Sequence, residues 1–255
     1  MVIPARYAST RLRGKPLRLL AGKPLIQHVY EQALATKLAT IIIATDDERI
    51  QTVCENFGAT VCLTSKDHPT GSDRLAEVVQ KYQWSDDTII VNLQGDEPLT
   101  PIENLYQVAT NLTLHPQAKI ATLATPIQHE TEYSDANAVK VVTDQTGFAL
   151  YFSRASIPFQ RDQDNQIQVV DFVLRHLGIY AYRAAYLKQF SQMAPCALEK
   201  IEKLEQLRAM WYGQTIHVDI AKKIPGHGVD TEEDLQQMEK MILKRSNKNA
   251  IHTTS

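Results

Sequence analysis

Along the first 125 residues the apolar positions alternate between two patterns. The short runs 1-MVIP-4, 40-TIIIAT-45, 60-TVCL-63, 88-TIIVNLQ-94 and 119-KIATLATP-126 have the length and β-branched content of buried strands. Between them, residues 24–36, 46–59, 71–82 and the stretch after Pro101 read as helices. Leu25, Val29 and Ala33 recur at helical spacing, and Pro24 suits a first helical turn. Asp46 and Asp47 offer caps to the second helix, and Gly58 offers its stop. Strands alternating with helices of this length predict βαβ units and a mostly parallel sheet, an α/β fold.

The pattern changes near residue 126. The stretches 138-AVKVVTD-144, 148-FALYFSR-154 and 175-RHLGIYAYR-183 read as extended strands, the first two joined through a hairpin turn at 144-DQTG-147. The amide-rich stretch 159–168 predicts a mobile surface loop. Helical spacing returns over 197–212, followed by a strand at 215–221 and a last helix from about Thr231. Residues 245–255 carry almost no apolar side chains, which predicts a disordered tail. With no internal repeat or long linker, the expected organisation is one domain over 1–244 with an inserted β-rich lobe over about 127–183. The strands at 148–154 and 175–183 have no evident helix after them, so a second copy of the chain is expected to cover that lobe.

Composition narrows the class. At 255 residues with 44% hydrophobic and 22% charged content, the chain suits one large globular α/β domain. A net charge of -2 argues against nucleic acid or an anionic membrane as partner. No apolar run approaches the roughly 18–20 residues of a membrane span, and arginines interrupt the N-terminal stretch where a signal peptide would be apolar. Cys54, Cys62 and Cys196 form no CxxC or Cys/His spacing, so a cytoplasmic location is expected.

Positive charge is nevertheless concentrated at one place. Arg6, Arg11, Arg13 and Lys15 fall within ten residues that hold no acidic residue. In parallel sheets ligands bind at the carboxyl ends of strands, and three loops leave such ends here, at 5–15, 64–74 and 94–98. The third holds the acidic turn 94-QGDEP-98, and a further carboxylate, Asp230, stands in 228-GVDTEEDL-235 ahead of the last helix. A nucleoside triphosphate needs cations and N–H donors, while its Mg²⁺ takes one or two carboxylates plus phosphate oxygens and water. There is no GxxxxGK[ST] and no GxGxxG. Spacing alone fits equally a solvated basic loop, a strand-ending turn at Asp96 and a helix cap at Asp230.

Longer stretches decide among these readings. IPARYASTRLRGKPL, ATDDERI, LAEVV, VNLQGDEPL, NAVKVV, LYFSRASIP, RHLGIYAYR, LEKIEKLEQLR and GVDTEEDL, in this order from residue 2 to about 243, resemble the 3-deoxy-manno-octulosonate cytidylyltransferases, or CMP-KDO synthetases. The resemblance implies a Rossmann-like nucleotidyltransferase fold with helices on both faces of a mostly parallel sheet and a β-rich dimerisation lobe. It implies an enzyme that joins CTP and the sugar acid KDO to give CMP-KDO and pyrophosphate with Mg²⁺, for lipopolysaccharide synthesis, as a homodimer.

Residue by residue, the resemblance places Ala5, Arg6, Arg11, Lys15, Gln94 and Asp96 against CTP, with Thr70, Gly71 and Arg74 on the side that selects the base and positions the triphosphate. The catalytic set it implies is Asp96, Asp230, Lys15 and Arg11. It makes Asp96 and Asp230 the metal ligands, and Gln94, Arg154, His176, Tyr180, Glu205 and Gln206 the sugar-side residues. Two departures stand out. Arg13 replaces the proline of the usual RLPGKPL and takes no family role, and the 159–168 loop looks shorter or rearranged around Arg161. Two rivals remain at this stage, activation of a different sugar acid such as sialic acid, and a catalytically silent nucleotide-binding protein.

Overall fold

The computed structural model describes residues 1–8, 11–38, 40–161, 172–226 and 228–252, with side chains described as far as residue 244. The chain opens with β1 (Val2–Ala5), a 3-10 turn (Lys15–Leu17), a small hairpin of β2 (Leu19–Leu20) and β3 (Lys23–Pro24), and α1 (Leu25–Ala35). Then come β4 (Ile42–Thr45), α2 (Glu48–Asn56), β5 (Thr60–Leu63), α3 (Gly71–Lys81), β6 (Ile89–Asn92), α4 (Ile102–Leu114) and β7 (Ile120–Pro126). The remainder is α5 (Glu130–Ser134), β8 (Lys140–Thr143), β9 (Ala149–Ser153), β10 (Leu174–Arg183), α6 (Ala184–Phe190), α7 (Ala197–Glu202), α8 (Gln206–Trp211), β11 (Ile216–Ile220) and α9 (Glu232–His252). Two compact units result. One comprises Met1–Val78, Leu93–Ile102 and Pro225–Ser255, and the other Val79–Asn92 and Glu103–Ile224.

In the first unit β1, β4 and β5 pair in parallel, Val2 opposite Ile42 and Ile42 opposite Thr60, with α1 and α2 as the crossovers. These are the predicted βαβ units. The apolar runs are buried because both faces of a parallel sheet are covered, and Val2, Ile3, Ile42, Ile43 and Ala44 have no exposed surface. One face of α1 buries Leu25, Ile26, Val29, Tyr30 and Ala33. Asp47 caps α2 by accepting the Arg49 N–H, as expected of an aspartate there.

The segment after Asn92 joins this unit by a backbone bond from the Leu93 N–H to the Val2 carbonyl. Gly95 then passes so close to β1 that a Cβ on it would lie 2.6 Å from the Pro4 carbonyl oxygen. Only glycine allows that approach. A separate apolar cluster of Leu12, Leu20, Leu25, Val229, Leu235 and Met238 ties the opening loop, the β2–β3 hairpin and α1 to α9.

The second unit is built round β7 and β10. β11 pairs with β7 in parallel, and β10 runs antiparallel to β6, β7 and β8. β8 and β9 form the predicted antiparallel hairpin, with Gly147 of its turn at φ +83°. The structure departs from expectation at four places. Residues 197–212 form two helices, because Lys203 adopts a left-handed conformation (φ +54°) and ends α7. β10 is followed at once by α6, which buries Ala184, Tyr186, Leu187 and Phe190, so that strand does have a helix after it. The hairpin β2–β3 and the short α5 have too few residues for a periodic signal. Finally, α9 stays helical to His252, beyond the tail boundary at 244, because extending an existing helix costs far less than nucleating one. The expected mobile loop at 159–168 lies outside the described residues from 162 onward. Among the described residues no helix is long and apolar enough to cross a membrane.

The Gly95 contact yields a stability prediction. Gly95→Ala must push the 94–96 turn off β1, so urea denaturation is expected to show a loss of roughly 1–3 kcal/mol, the usual range for overpacking. Unchanged stability would mean that the close approach to Pro4 does not constrain the turn.

Candidate active site

The loops at the carboxyl ends of β1 and β5 and the turn after Leu93 meet at a cleft of about 330 Å³ in the first unit. Its lining contains Ala5, Arg6, Arg11, Lys15, Thr70, Gly71, Arg74, Gln94, Asp96 and Asp230. These ten residues are every position assigned from the sequence to nucleotide or metal. Arg13, left without a role, is exposed and does not line the cleft.

Lys15 stands at its centre of charge. Its Nζ donates to Asp96 Oδ2 at 2.6 Å and to Asp230 Oδ1 at 3.0 Å, and Arg11 Nη2 meets Asp230 Oδ2 at 3.0 Å. The expectation that Lys15 grips phosphate therefore needs refinement, because its ammonium is engaged with the two carboxylates. A cation between two carboxylates lowers their mutual repulsion, which is the physical reason for the pairing. The Lys15 side chain is 15% exposed and Asp96 31%, so solvent screens this pair only in part.

The scaffold explains why those carboxylates are available. Asp230 does not cap α9. Thr231 Oγ1 accepts the Asp234 N–H, and Asp234 Oδ2 accepts from the Thr231 and Asp230 N–H groups, a reciprocal capping box. Asp96 is joined to the same region by a backbone bond from the Val229 N–H to its carbonyl. The opening loop is closed by the Gly14 N–H on the Tyr7 carbonyl. Gly14 sits at φ +66°, and a Cβ there would lie 3.1 Å from the Tyr7 ring. The Arg49 guanidinium covers that ring at 3.5 Å.

The 64–74 loop is held from α3. Thr70 and Asp73 form another capping pair, with Thr70 Oγ1 donating to Asp73 Oδ2 at 2.7 Å. Arg74 was expected to position the triphosphate. Its buried guanidinium is spent on Thr64 Oγ1 and on Asp46 Oδ2 (2.9 Å), so it shapes the cleft and contributes charge from behind. Beside Asp96, burial and then the Asp96 charge push the Glu97 carboxyl up to about 7, although Thr100 donates a hydrogen bond to it. Sequence reasoning passed over His68 and Pro69, which also line the cleft. Their place between β5 and α3 was the available signal.

The remaining sugar-side residues belong to the second unit. Arg154 is committed to structure, with Nε donating to the Glu202 carbonyl at 2.7 Å and Nη1 to the Ala136 carbonyl at 2.9 Å. His176 is flanked by Phe152 and Tyr180 at ring separations of 5.2 and 5.3 Å, and its Nε2 lies 3.1 Å from Thr122 Oγ1. Burial first, and then Arg175, lower the His176 pKa to about 3, so it is neutral at physiological pH. Burial likewise raises the Tyr180 phenol well above its ordinary value, with Tyr182 and Glu205 adding to the shift. Both are hydrogen-bonding groups, not proton-transfer groups, at neutral pH. Glu205 stands at the N-cap of α8 and Gln206 in its first turn, and the buried Gln206 Nε2 has no hydrogen-bond partner among the described residues. The single helix expected over 197–212 is thus broken at Lys203, just before these two residues.

A family model for cytidylyltransferases matches residues 1–223. The chain belongs to the cytidylyltransferase family. Within it, this cytidylyltransferase is 51% identical to the 3-deoxy-manno-octulosonate cytidylyltransferase of Pasteurella multocida (strain Pm70), a match covering 96% of this chain and 98% of that protein. It is 52% identical to the proteins of the same name from Yersinia enterocolitica and Vibrio parahaemolyticus, each match again covering 96% of this chain and 98% of the relative. Its fold is shared with a solved CMP:2-keto-3-deoxy-manno-octonic acid synthetase complexed with CTP. That likeness has a TM-score of 0.87 and 40% identity, and it covers 96% of this chain and 98% of the other. The expected α/β nucleotidyltransferase fold and the family resemblance are both borne out.

The neutral His176 yields a pH prediction. Its folded pKa lies below the ordinary 6.5, so the unfolded chain binds the extra proton and stability falls as pH drops from about 6.5 toward 3. A His176→Gln variant should lose stability less steeply over that window, by up to ~1.4 kcal/mol per pH unit. Parallel urea titrations at pH 7, 6 and 5 check it, and identical slopes would show that His176 is not held neutral by the fold.

Proposed function

We propose that this chain transfers the cytidylyl group of CTP to the anomeric hydroxyl of KDO, giving CMP-KDO for lipopolysaccharide assembly and releasing pyrophosphate. One observation carries the reading. Asp96 and Asp230, 134 residues apart in sequence, are held on one ammonium at the mouth of a cleft that Arg6 and Arg11 also line. In the reaction the sugar oxygen bonds to the α-phosphorus, the bond from that phosphorus to the bridging oxygen breaks, and the negative charge leaves on pyrophosphate. Such transfers depend mainly on positioning and charge neutralisation.

The carboxylate pair fits Mg²⁺. Lys15 Nζ touches an oxygen of each aspartate within 3.0 Å, so a single small cation reaches both. The donors are oxygens only, and no cluster of three or more His, Cys, Asp or Glu suited to a metal occurs among the described residues. Two carboxylates completed by phosphate and water is a Mg²⁺ donor set, where zinc favours nitrogen and sulfur. When bound, the ion neutralises phosphate charge and lowers the pKa of a coordinated hydroxyl. Asp96 and Asp230 would hold it. Arg11 and Arg6 would bind the phosphates, and Lys15 sets the spacing of the carboxylates while staying in reach of the cleft.

For KDO, the neutral His176, Tyr180 and Gln206 Nε2, which has no partner among the described residues, offer hydrogen bonds suited to hydroxyl groups. Arg154 supports these groups from its bonds to Glu202 and Ala136. A homodimer and a cytoplasmic location complete the proposal. Exposed Leu150 and Phe172 beside the antiparallel strands support the first, and cysteines that are buried and few, with no CxxC spacing, the second.

Pyrophosphate release with CTP and Mg²⁺ is expected with KDO and not with sialic acid, and a preference for sialic acid would overturn the sugar assignment. Asp96→Asn should lower kcat by at least ~100-fold, since one charge of a preorganised site is worth about that much. Cooperative unfolding should persist, and near wild-type turnover would remove Asp96 from the metal site. Sedimentation at micromolar concentration should show a dimer, and a monomer there would refute it.

A further inference from the structure

The part of the cleft lining contributed by residues 68–71 differs in chemistry from the rest. On one side of Pro4 lie Gly95 and the Asp96 carboxylate with its Lys15 partner. On the other side, 3.7 Å from Pro4 Cγ, is the ideal Cβ position of Gly71, next to Thr70, Pro69 and His68. A nucleotide has one polyanionic end and one neutral, heteroaromatic end. Its phosphates belong with Arg6 and Arg11, which leaves the neutral wall at 68–71 for the base.

His68 contributes the one imidazole among the described residues of that wall, and α3 fixes its orientation. Its Nε2 lies 2.5 Å from Glu77 Oε2, and the same carboxylate oxygen accepts the Ser65 N–H at 2.8 Å. Three residues before Glu77, Arg74 holds Thr64. Both side chains of α3 therefore pin the start of the loop, and the His68 side chain is only 22% exposed. A carboxylate accepts and does not donate, so Nε2 must carry the proton of that bond. In the neutral ring this leaves Nδ1 as a hydrogen-bond acceptor.

We propose that His68 is a specificity-determining residue that accepts a hydrogen bond from the exocyclic amino group of cytosine, and that Glu77 is the positioning residue that fixes its tautomer. Cytosine presents an N4 amine where uracil presents an O4 carbonyl. An acceptor at that point pairs with the first and faces lone pair against lone pair with the second. A backbone carbonyl would discriminate in the same sense, but a histidine does so only while its other nitrogen is held as donor. This is why the half-buried Glu77 contact matters although Glu77 does not touch the ligand. The proposal rests on the nucleotide reading of the cleft.

The test compares kcat/KM for CTP and for UTP, at saturating KDO and Mg²⁺, in the full chain and four variants. His68→Leu should lower the CTP-to-UTP ratio at least tenfold, about the worth of one hydrogen bond of ~1.4 kcal/mol. His68→Asn should restore most of the ratio, because its Oδ1 stands near the place of Nδ1. Glu77→Gln should lower the ratio while leaving kcat for CTP within a few fold, since an amide no longer dictates which ring nitrogen is protonated. A role confined to supporting the loop would raise KM for both nucleotides equally and leave the ratio unchanged, which overturns the proposal. Should His68→Leu fail to fold, the Asn and Gln variants decide by the same ratio. Arg11→Met separates the two readings by calorimetric CTP binding. Weakened binding alongside an unchanged ratio in the His68 variants removes only His68, whereas unaltered binding removes the cleft as the nucleotide site.

Discussion

One lysine ammonium set between two aspartates organises the chemistry of this cytidylyltransferase. Lys15, Asp96 and Asp230 come from the first loop, the turn after Leu93 and the segment before the last helix, and they meet within 3.0 Å. Two carboxylates brought this close repel each other at a cost that rises as water is excluded. The lysine offsets that cost, and Arg11 adds a second cation on the exposed side of Asp230. The same arrangement that balances charge within the protein places two carboxylates and the basic side chains of Arg6 and Arg11 together in the lining of one cleft.

Such an arrangement requires a rigid base, and the fold supplies it by ordinary means. The apolar cluster joining Leu12 and Leu25 to Val229 and Leu235 fixes the opening loop against the start of α9. The backbone bond from Val229 to the Asp96 carbonyl and the close passage of Gly95 under Pro4 fix the turn. Capping is delegated to neighbouring residues. Thr231 and Asp234 satisfy the first turn of α9, which leaves Asp230 to the site, and Thr70 and Asp73 do the same for α3. Arg74 and Glu77 then work backwards from α3 to hold the loop that precedes it.

Much of this was legible in the chain. The alternation of apolar runs with helical spacing identified the βαβ units, because burial on both faces of a parallel sheet imposes continuous apolar strands. Charge segregation pointed to the opening loop, and the resemblance of the long family stretches assigned Arg11 to CTP and Asp96 to the metal. Where prediction failed, the cause was local. Nothing in 197-ALEKIEKLEQLRAMWY-212 interrupts helical periodicity, yet Lys203 takes a left-handed conformation that a non-glycine residue rarely adopts, and one helix becomes two. α6 was hidden because its seven residues follow a strand rich in the same aromatic side chains.

The roles of individual polar residues divide along the same line. Residue type and order along the chain determined the α/β class and the three loops at strand ends, which are consequences of periodicity and of charge, properties of neighbours in sequence. The ten positions assigned to nucleotide and metal came from the family resemblance. Which partner each side chain takes was decided only by the tertiary structure. Lys15 faces carboxylates, Arg74 is consumed by Asp46 and Thr64, Arg154 is tied to backbone carbonyls, and His68 is oriented by Glu77. A hydrogen bond is settled within a few tenths of an ångström and competes with every other donor and acceptor in reach. Those competitors come from distant parts of the chain, and only folding brings them together.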